Sequence, residues 1–260
     1  MNISFSKYQG TGNDFVIIDH RQPFIKHTDT ALIQKLCDRK FGIGADGLIL
    51  LEEELGFHFR MVYFNADGRE SSMCGNGGRC IVAFAQQLGL ITDFASFIAI
   101  DGPHEAKITS DRVELKMNAV EVVEQTKNDY VLNTGSPHYV QFIPSKTEID
   151  VVAAGRAIRQ SPRYEKEGIN VNFVERLSSG INVQTYERGV EDETLSCGTG
   201  VTAAAIAYTI DQQLTGVIEI PVETKGGTLA VKLEREQHFT DIWLCGPATF
   251  VFAGEIEVGT

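Results

Sequence analysis

The sequence predicts an α+β fold of two pseudo-symmetric halves, each a curled, mostly antiparallel sheet or barrel around one central helix. Three observations carry this. First, a cysteine stands directly before a glycine-rich turn twice, in SSMCGNGGRC (71–80) and TLSCGTGVTA (194–203), with Cys74 and Cys197 123 positions apart (197 − 74). Second, the same ungapped offset relates Thr11-Gly12-Asn13 to Thr134-Gly135-Ser136, Gly47 to Asn170, Tyr63 to Tyr186 and Asn65 to Arg188. Several small and polar positions at one spacing imply two copies of one unit. Third, each cysteine motif runs on into a segment that is apolar almost all round and rich in small residues, 76–88 and 199–214. That is the pattern of a helix buried on every side.

The other elements follow in chain order. TALIQKLCDR (30–39) reads as an amphipathic helix, FHFRMVYF (57–64) and DRVELKM (111–117) as strands, and YVLN (130–133) as another. DVVAAGRAIRQ (150–160) is a second amphipathic helix at a comparable place in the second copy. INVQTYE (181–187), VIEIPVE (217–223) and TLAVKLE (228–234) are rich in β-branched residues and several alternate, so they too read as strands. Pro103 and EQTKND (124–129) read as loops, and the inter-domain link is expected near 117–128. The expected domains are residues 1–120 and 121–245.

The composition, 43% hydrophobic and 22% charged over 260 residues, is that of a globular chain. A net charge of −12 repels phosphate backbones and anionic lipid, which argues against nucleic acid and membrane partners. No stretch is apolar over the roughly 18 residues that suggest a membrane span, and the N-terminus lacks the pattern of a secretory signal. Five cysteines, an odd number, suit reduced thiols in the cytoplasm better than a disulfide framework. There is no C-x-x-C or H-E-x-x-H, so a metal is not expected.

A cysteine belongs at such a turn for a chemical reason. The first turn of a helix has N–H groups without internal partners, and the macrodipole adds positive charge there. A thiolate is stabilised at that point. Glycines let an anion approach the bare N–H groups, which makes the turn a carboxylate cradle. Two opposed acid–base thiols with an anion cradle between them are what inversion of a carbon next to a carboxylate requires. One thiolate removes the α-proton, and the other thiol returns a proton to the opposite face.

The motifs GTGNDF, FGIGADG, FNADG, MCGNGGRC, SPH, YERGVEDETLSCGTG and CGPATFVFAGEI span essentially the whole chain. In these the sequence resembles the diaminopimelate epimerase family. The resemblance implies two similar α+β domains with the active site in the cleft between them, a homodimer, and a C-terminal strand (246–260) returning to the first domain. It implies interconversion of LL- and meso-2,6-diaminopimelate, in lysine and peptidoglycan precursor synthesis, without pyridoxal phosphate or any other cofactor. Carried onto this chain, it makes Cys74 and Cys197 the acid–base pair and His138 and Glu187 the groups that tune them. Gly75, Asn76, Gly198 and Thr199 hold the reacting carboxylate. Asn13, Asn65, Asn170, Glu187 and Arg188 are further substrate contacts, with Arg188 suited to clamp a second carboxylate.

Two positions depart from the family pattern. Ser136 stands where asparagine usually precedes Pro-His. Gly47 stands where some relatives have a side chain that touches substrate, so only backbone contact is open to it. Cys37, Cys80 and Cys245 carry no motif role, and Cys80 reads as core. Three rivals remain at this level: a proline or hydroxyproline racemase, a dithiol redox protein, and a binding domain that has lost catalysis. Asn76 and Arg188 speak against the first, the wide spacing of the thiols against the second, and the presence of both cysteines against the third.

Overall fold

The computed structural model describes residues 1–110, 112–126 and 128–259. Asp111 of the expected strand 111–117, Lys127 of the expected loop 124–129 and link 117–128, and Thr260 lie outside the described residues. The chain divides into two compact units, Met1–Leu115 with Gly246–Thr260, and Lys116–Cys245.

In chain order the elements are β1 (Asn2–Gly10), β2 (Asn13–Asp19), α1 (Thr30–Cys37), β3 (Gly47–Glu52), β4 (Phe59–Asn65), β5 (Glu70–Ser71), α2 (Gly75–Gln87), β6 (Phe94–Ala99), β7 (Gly102–Ile108) and β8 (Val113–Lys116). There follow β9 (Val123–Gln125), β10 (Asp129–Asn133), β11 (Pro137–Ile143), α3 (Val151–Arg159), β12 (Asn170–Arg176), β13 (Ile181–Glu187), β14 (Asp192–Thr194), α4 (Gly198–Asp211), β15 (Gly216–Thr224), β16 (Gly227–Arg235), β17 (Phe239–Gly246) and β18 (Thr249–Glu257).

The two units repeat one topology. In the first the strands pair in the order β18-β1-β2-β3-β4-β6-β7-β8, with β5 a short flap on β4. In the second the order is β9-β10-β11-β12-β13-β15-β16-β17, with β14 on β13. Each holds two parallel pairings at matching places, β2–β3 and β4–β6 against β11–β12 and β13–β15. The remaining pairings are antiparallel. Among the described residues neither strand series closes on itself, so the sheet is open and the barrel alternative in the expected fold is set aside.

Period-two patterning explains why the sheet is buried on both faces. In the first unit Val16, Ile18, Leu48, Leu50, Val62 and Phe64 pack with Ile33 and Leu36 of α1. Their alternates Phe15 and Ile49, with Met61, line the approach of α2 at Gly77. In the second unit Val171, Phe173 and Tyr186 pack with Val151 and the rest of the α3 face. A Cβ on Gly155 would run into the Tyr186 ring, so α3 needs glycine at that contact.

Three readings change. Pro103 lies inside β7, paired with Ile98, where β8 has not yet joined the other side; its first partner is Ala106. Proline is tolerated there because no ladder bond is asked of its nitrogen. Val123–Gln125 forms β9 on β10, so the strand takes Glu124 and Gln125 out of the expected loop. The ungapped offset also slips. Leu48 faces Phe64 and Val171 faces Tyr186, which makes Phe64, not Tyr63, the partner of Tyr186 in the repeat and moves Asn65 onto Glu187. The hairpin after β13 is one residue longer than that after β4, which restores the offset before the helices.

Candidate active site

α2 and α4 begin at Gly75 and Gly198, with Cys74 and Cys197 as their N-caps in extended backbone. The first helical bonds run from Gly78 N–H to the Cys74 carbonyl (2.7 Å) and from Val201 N–H to the Cys197 carbonyl (2.8 Å). Neither helix has a side-chain cap. The contrast with α1 and α3 is instructive: there Asp29 and Asp150 accept from Leu32 N–H and Ala153 N–H. Aspartate at those positions closes the helix end, whereas cysteine leaves the amides of the first turn to an outside anion. Each open turn is tied to a loop of its own unit, the one after β1 or the one after β10. Thr11 donates to Asn76 Oδ1 (3.4 Å), and Thr134 donates to the Thr199 carbonyl (2.8 Å). Thr11 adopts a left-handed φ of 51°, unfavourable for a β-branched residue and sustained by this anchoring.

On the Cys74 side the amide of Asn13 is oriented without ambiguity. Its Nδ2 donates to the Asp46 carboxylate (2.8 Å), which turns Oδ1 toward Cys74 Sγ (3.6 Å) and Asn76 Nδ2 (3.4 Å). Asp46 is held by Arg39 (2.8 Å), which also binds Asp14 (2.7 Å). Asp14 further pairs with Lys7 (2.8 Å), and these two cations hold its carboxyl below the ordinary range despite its burial. Asn76 is fixed from below by Arg79, whose Nη2 donates to Asn76 Oδ1 (3.0 Å) and to Thr11 (3.3 Å). Arg79 is fully buried, so α2 is not the purely apolar helix that its neighbours in sequence suggest. It also donates to the carbonyls of Gly75 and Pro247, and these bonds offset the cost of its burial. Gly47 is closed to any side chain: a Cβ there would lie 2.6 Å from the Phe64 carbonyl oxygen and against the Tyr63 ring. Asn65 is exposed at the end of β4.

On the Cys197 side the structure brings Ser136, Asn170 and Arg188 together. Asn170 Nδ2 donates to Ser136 Oγ (2.8 Å) and to the Pro137 carbonyl (3.1 Å), and its Oδ1 accepts from Arg188 N–H (2.9 Å). Both amide hydrogens of Asn170 are thus engaged within the protein. Ser136 Oγ accepts from Asn170 and from Arg188 Nη2 (3.5 Å), which leaves its own hydrogen to point elsewhere. Burial raises the Glu187 carboxyl above its ordinary value, an effect that the nearby Thr194 hydroxyl partly offsets. Cys197 Sγ lies 3.5 Å from the Thr199 hydroxyl. His138 is fully buried, and burial with the nearby Arg188 charge pushes its imidazole down to about 3.

Among the described residues one group gathers metal-ligand types, His20, His27 and Glu52. His20 Nε2 accepts from the N–H groups of Phe24 and Ile25 (2.8 Å each), so its hydrogen sits on Nδ1 and faces Glu52 Oε1 (2.7 Å). A nitrogen that carries a hydrogen cannot ligate, and the trio is a loop latch. Burial pushes the Cys37 and Cys80 thiols up to about 12, as expected of inert core cysteines. No helix of the described residues is long and apolar enough to cross a membrane.

Sequence reasoning did not single out Arg79, Asn172 or Thr185. An arginine inside a small-residue helix and a second asparagine two positions after Asn170 were the available signals.

Two repeats of one sheet-and-helix unit, each with a cysteine heading an uncapped glycine-rich helix, define an isomerase of the two-cysteine epimerase class. The diaminopimelate epimerase family model matches residues 5–123 and 130–251, and the chain belongs to that family. The chain is 53% identical to the diaminopimelate epimerase of Flavobacterium psychrophilum over 249 residues, 95% of this chain and 97% of that one. The fold is also that of a Bacillus anthracis phenazine biosynthesis protein of the PhzF family, with a TM-score of 0.79 at 12% identity, covering 99% of this chain and 100% of that one. A hydroxyproline epimerase from Agrobacterium vitis shares it with a TM-score of 0.70 at 13% identity, covering 98% and 92%.

Proposed function

We propose that this chain interconverts LL- and meso-2,6-diaminopimelate by moving a proton at one α-carbon, with Cys74 and Cys197 as its acid and base and no cofactor. The observation that carries the reading is the pair of cysteine-headed, uncapped helix ends. Inversion needs one group on each face of the α-carbon, and each repeat supplies one thiol. As the α-proton leaves, negative charge moves onto the carboxylate. Amides of Gly75, Asn76, Gly198 and Thr199 then bind it more tightly than they bind the ground state, which lowers the barrier. The distal end is read by Arg188 and by the Ser136 hydroxyl, whose oxygen is already occupied as an acceptor. A donor hydroxyl beside a guanidinium suits a carboxylate, so serine in place of the usual asparagine keeps the specificity. Asn170 supports them both. Asn13 stands beside Cys74, and Asn65 serves as a contact at the exposed strand end.

The reaction needs two reduced thiols, which a reducing cytoplasm maintains. The net charge of −12 disfavours nucleic acid as a partner. A homodimer is supported by β18, which pairs only with β1 among the described residues and exposes Phe250, Val251 and Phe252 by 45–51%. Incubation in D₂O with LL-diaminopimelate or with L-proline tests the reading. Deuterium enters the α-position of diaminopimelate with formation of the meso isomer, and not that of proline. Exchange into proline instead overturns it.

A further inference from the structure

One buried polar pair has no equivalent in the sister repeat. His138 and Asn172 stand on neighbouring strands β11 and β12, and a Cβ on Gly200 of α4 would collide with Asn172 Oδ1. The matching positions of the first unit, at the same offset, are Phe15 and Ile49, which would lie 3.4 and 3.2 Å from a Cβ placed on Gly77 of α2. The fold is therefore satisfied by two apolar residues at this place. A buried imidazole and amide are more costly there, and they answer to a task beyond folding.

The hydrogen-bond chain has a single solution. The Tyr139 carbonyl can only accept, so the Asn172 atom 3.1 Å from it is the amide nitrogen. The Thr185 hydroxyl donates to the other atom, Oδ1, at 2.9 Å. The second hydrogen of Asn172 Nδ2 faces His138 Nδ1 at 3.1 Å, which must then present a lone pair. A neutral imidazole with its lone pair on Nδ1 carries its hydrogen on Nε2. That atom is buried and has no hydrogen-bond partner among the described residues. Protonation of the ring would set an N–H against the Asn172 N–H, and burial and Arg188 oppose it further.

We infer that Asn172, oriented by Thr185, is a positioning residue that locks His138 as the neutral Nε2–H tautomer, so that the imidazole meets the reacting groups as a hydrogen-bond donor to an anion. This deepens the epimerase reading and rests on it for the identity of the anion, a thiolate or the substrate carboxylate. It implies that His138 is not a resting general base. A donor aimed at an anion stabilises negative charge without itself exchanging a proton in the ground state.

The test is a long-range ¹H–¹⁵N correlation spectrum of the whole substrate-free protein with ¹⁵N-labelled histidine. The His138 signals are assigned by their loss in His138→Gln, against the other five of the six histidines. The wild type is expected to show protonated Nε2 and unprotonated Nδ1, unchanged between about pH 5.5 and 8. Asn172→Asp, whose carboxylate only accepts, is expected to move the hydrogen to Nδ1 and make the ring titrate in that range. Thr185→Val, which removes the orienting hydroxyl but keeps the amide, is expected to give a mixture of tautomers. A wild-type spectrum with Nδ1 protonated, or an Asn172→Asp variant that keeps the wild-type pattern, overturns the inference; the wild-type spectrum decides even where a variant fails to fold. Deuterium exchange into diaminopimelate, measured on the same sample, reports separately on the epimerase reading.

Discussion

Gly77 and Gly200 occupy the same third position of α2 and α4, and alanine at each is predicted to have opposite consequences. Replacing helical glycine by alanine gains about 0.5–1 kcal/mol from backbone entropy. At Gly77 the new methyl meets Ile49 Cδ1 at 3.2 Å, Met61 Cε at 3.3 Å and Phe15 Cε1 at 3.4 Å, all of them tips of side chains able to yield by a few tenths of an ångström. The gain survives there, and Gly77→Ala is expected to be neutral or slightly stabilising. At Gly200 the methyl lands well under 3.0 Å from Asn172 Oδ1 and 3.3 Å from Thr185 Oγ1. Asn172 cannot yield, because it is bonded to Tyr139, His138 and Thr185 at 2.9–3.1 Å. Overpacking costs about 1–3 kcal/mol, and a displaced buried amide adds about 1–3 kcal/mol. After the helix gain the net loss is about 1–5.5 kcal/mol. For a chain of this size each kcal/mol moves Tm by roughly 2–4 °C, so Gly200→Ala melts lower than Gly77→Ala by several degrees. Calorimetric or fluorescence melts of the two variants beside wild type measure it. Equal melting of the two, or stabilisation by Gly200→Ala, would refute the claim that a rigid polar network underlies α4.

Three further outcomes are expected. Cys74→Ala and Cys197→Ala each retain less than about one per cent of wild-type turnover, since loss of a proton-transfer group costs about 10²–10⁴-fold; substantial epimerisation by either variant contradicts the two-thiol mechanism. Arg188→Ala raises KM for diaminopimelate by roughly 10–150-fold, the equivalent of about 1.5–3 kcal/mol for a charged hydrogen bond, with a smaller change in kcat; an unchanged KM with collapsed kcat would move Arg188 to the reacting carbon. Glu187→Gln changes stability in a pH-dependent way. The folded state binds the Glu187 proton more tightly than the unfolded chain, so the wild type loses stability as pH rises through and above the ordinary carboxyl range. The variant is therefore expected to be the more stable near pH 7.5 and to match wild type near pH 4, read from paired urea titrations; the opposite ordering would mean that the native site stabilises the ionised carboxylate.

The repeated unit was legible in the chain because its marks are local. A cysteine before glycines, a run of small apolar residues and alternating strands each follow from short-range constraints, and they recur at one spacing. Both N-cap cysteines, the four helices and the strand 181–187 were readable for that reason. What lay beyond reach was whatever depends on which residues meet across strands. A hairpin one residue longer moves Asn65 opposite the place of Glu187, and no sequence spacing reveals which side of the strand the extra residue falls on. Arg79 lies in a segment whose pattern predicts burial on every side, but its partners, the Gly75 and Pro247 carbonyls, Asn76 and Thr11, are fixed only by the fold, with Pro247 supplied by the far end of the chain. Asn172 lies in none of the elements expected from the sequence pattern, and only the register of β11, β12 and β13 sets it between His138 and Thr185. The protonation of a buried imidazole is decided by the geometry of its partners, and the amide that decides it here is 34 residues away in sequence and 3.1 Å away in space.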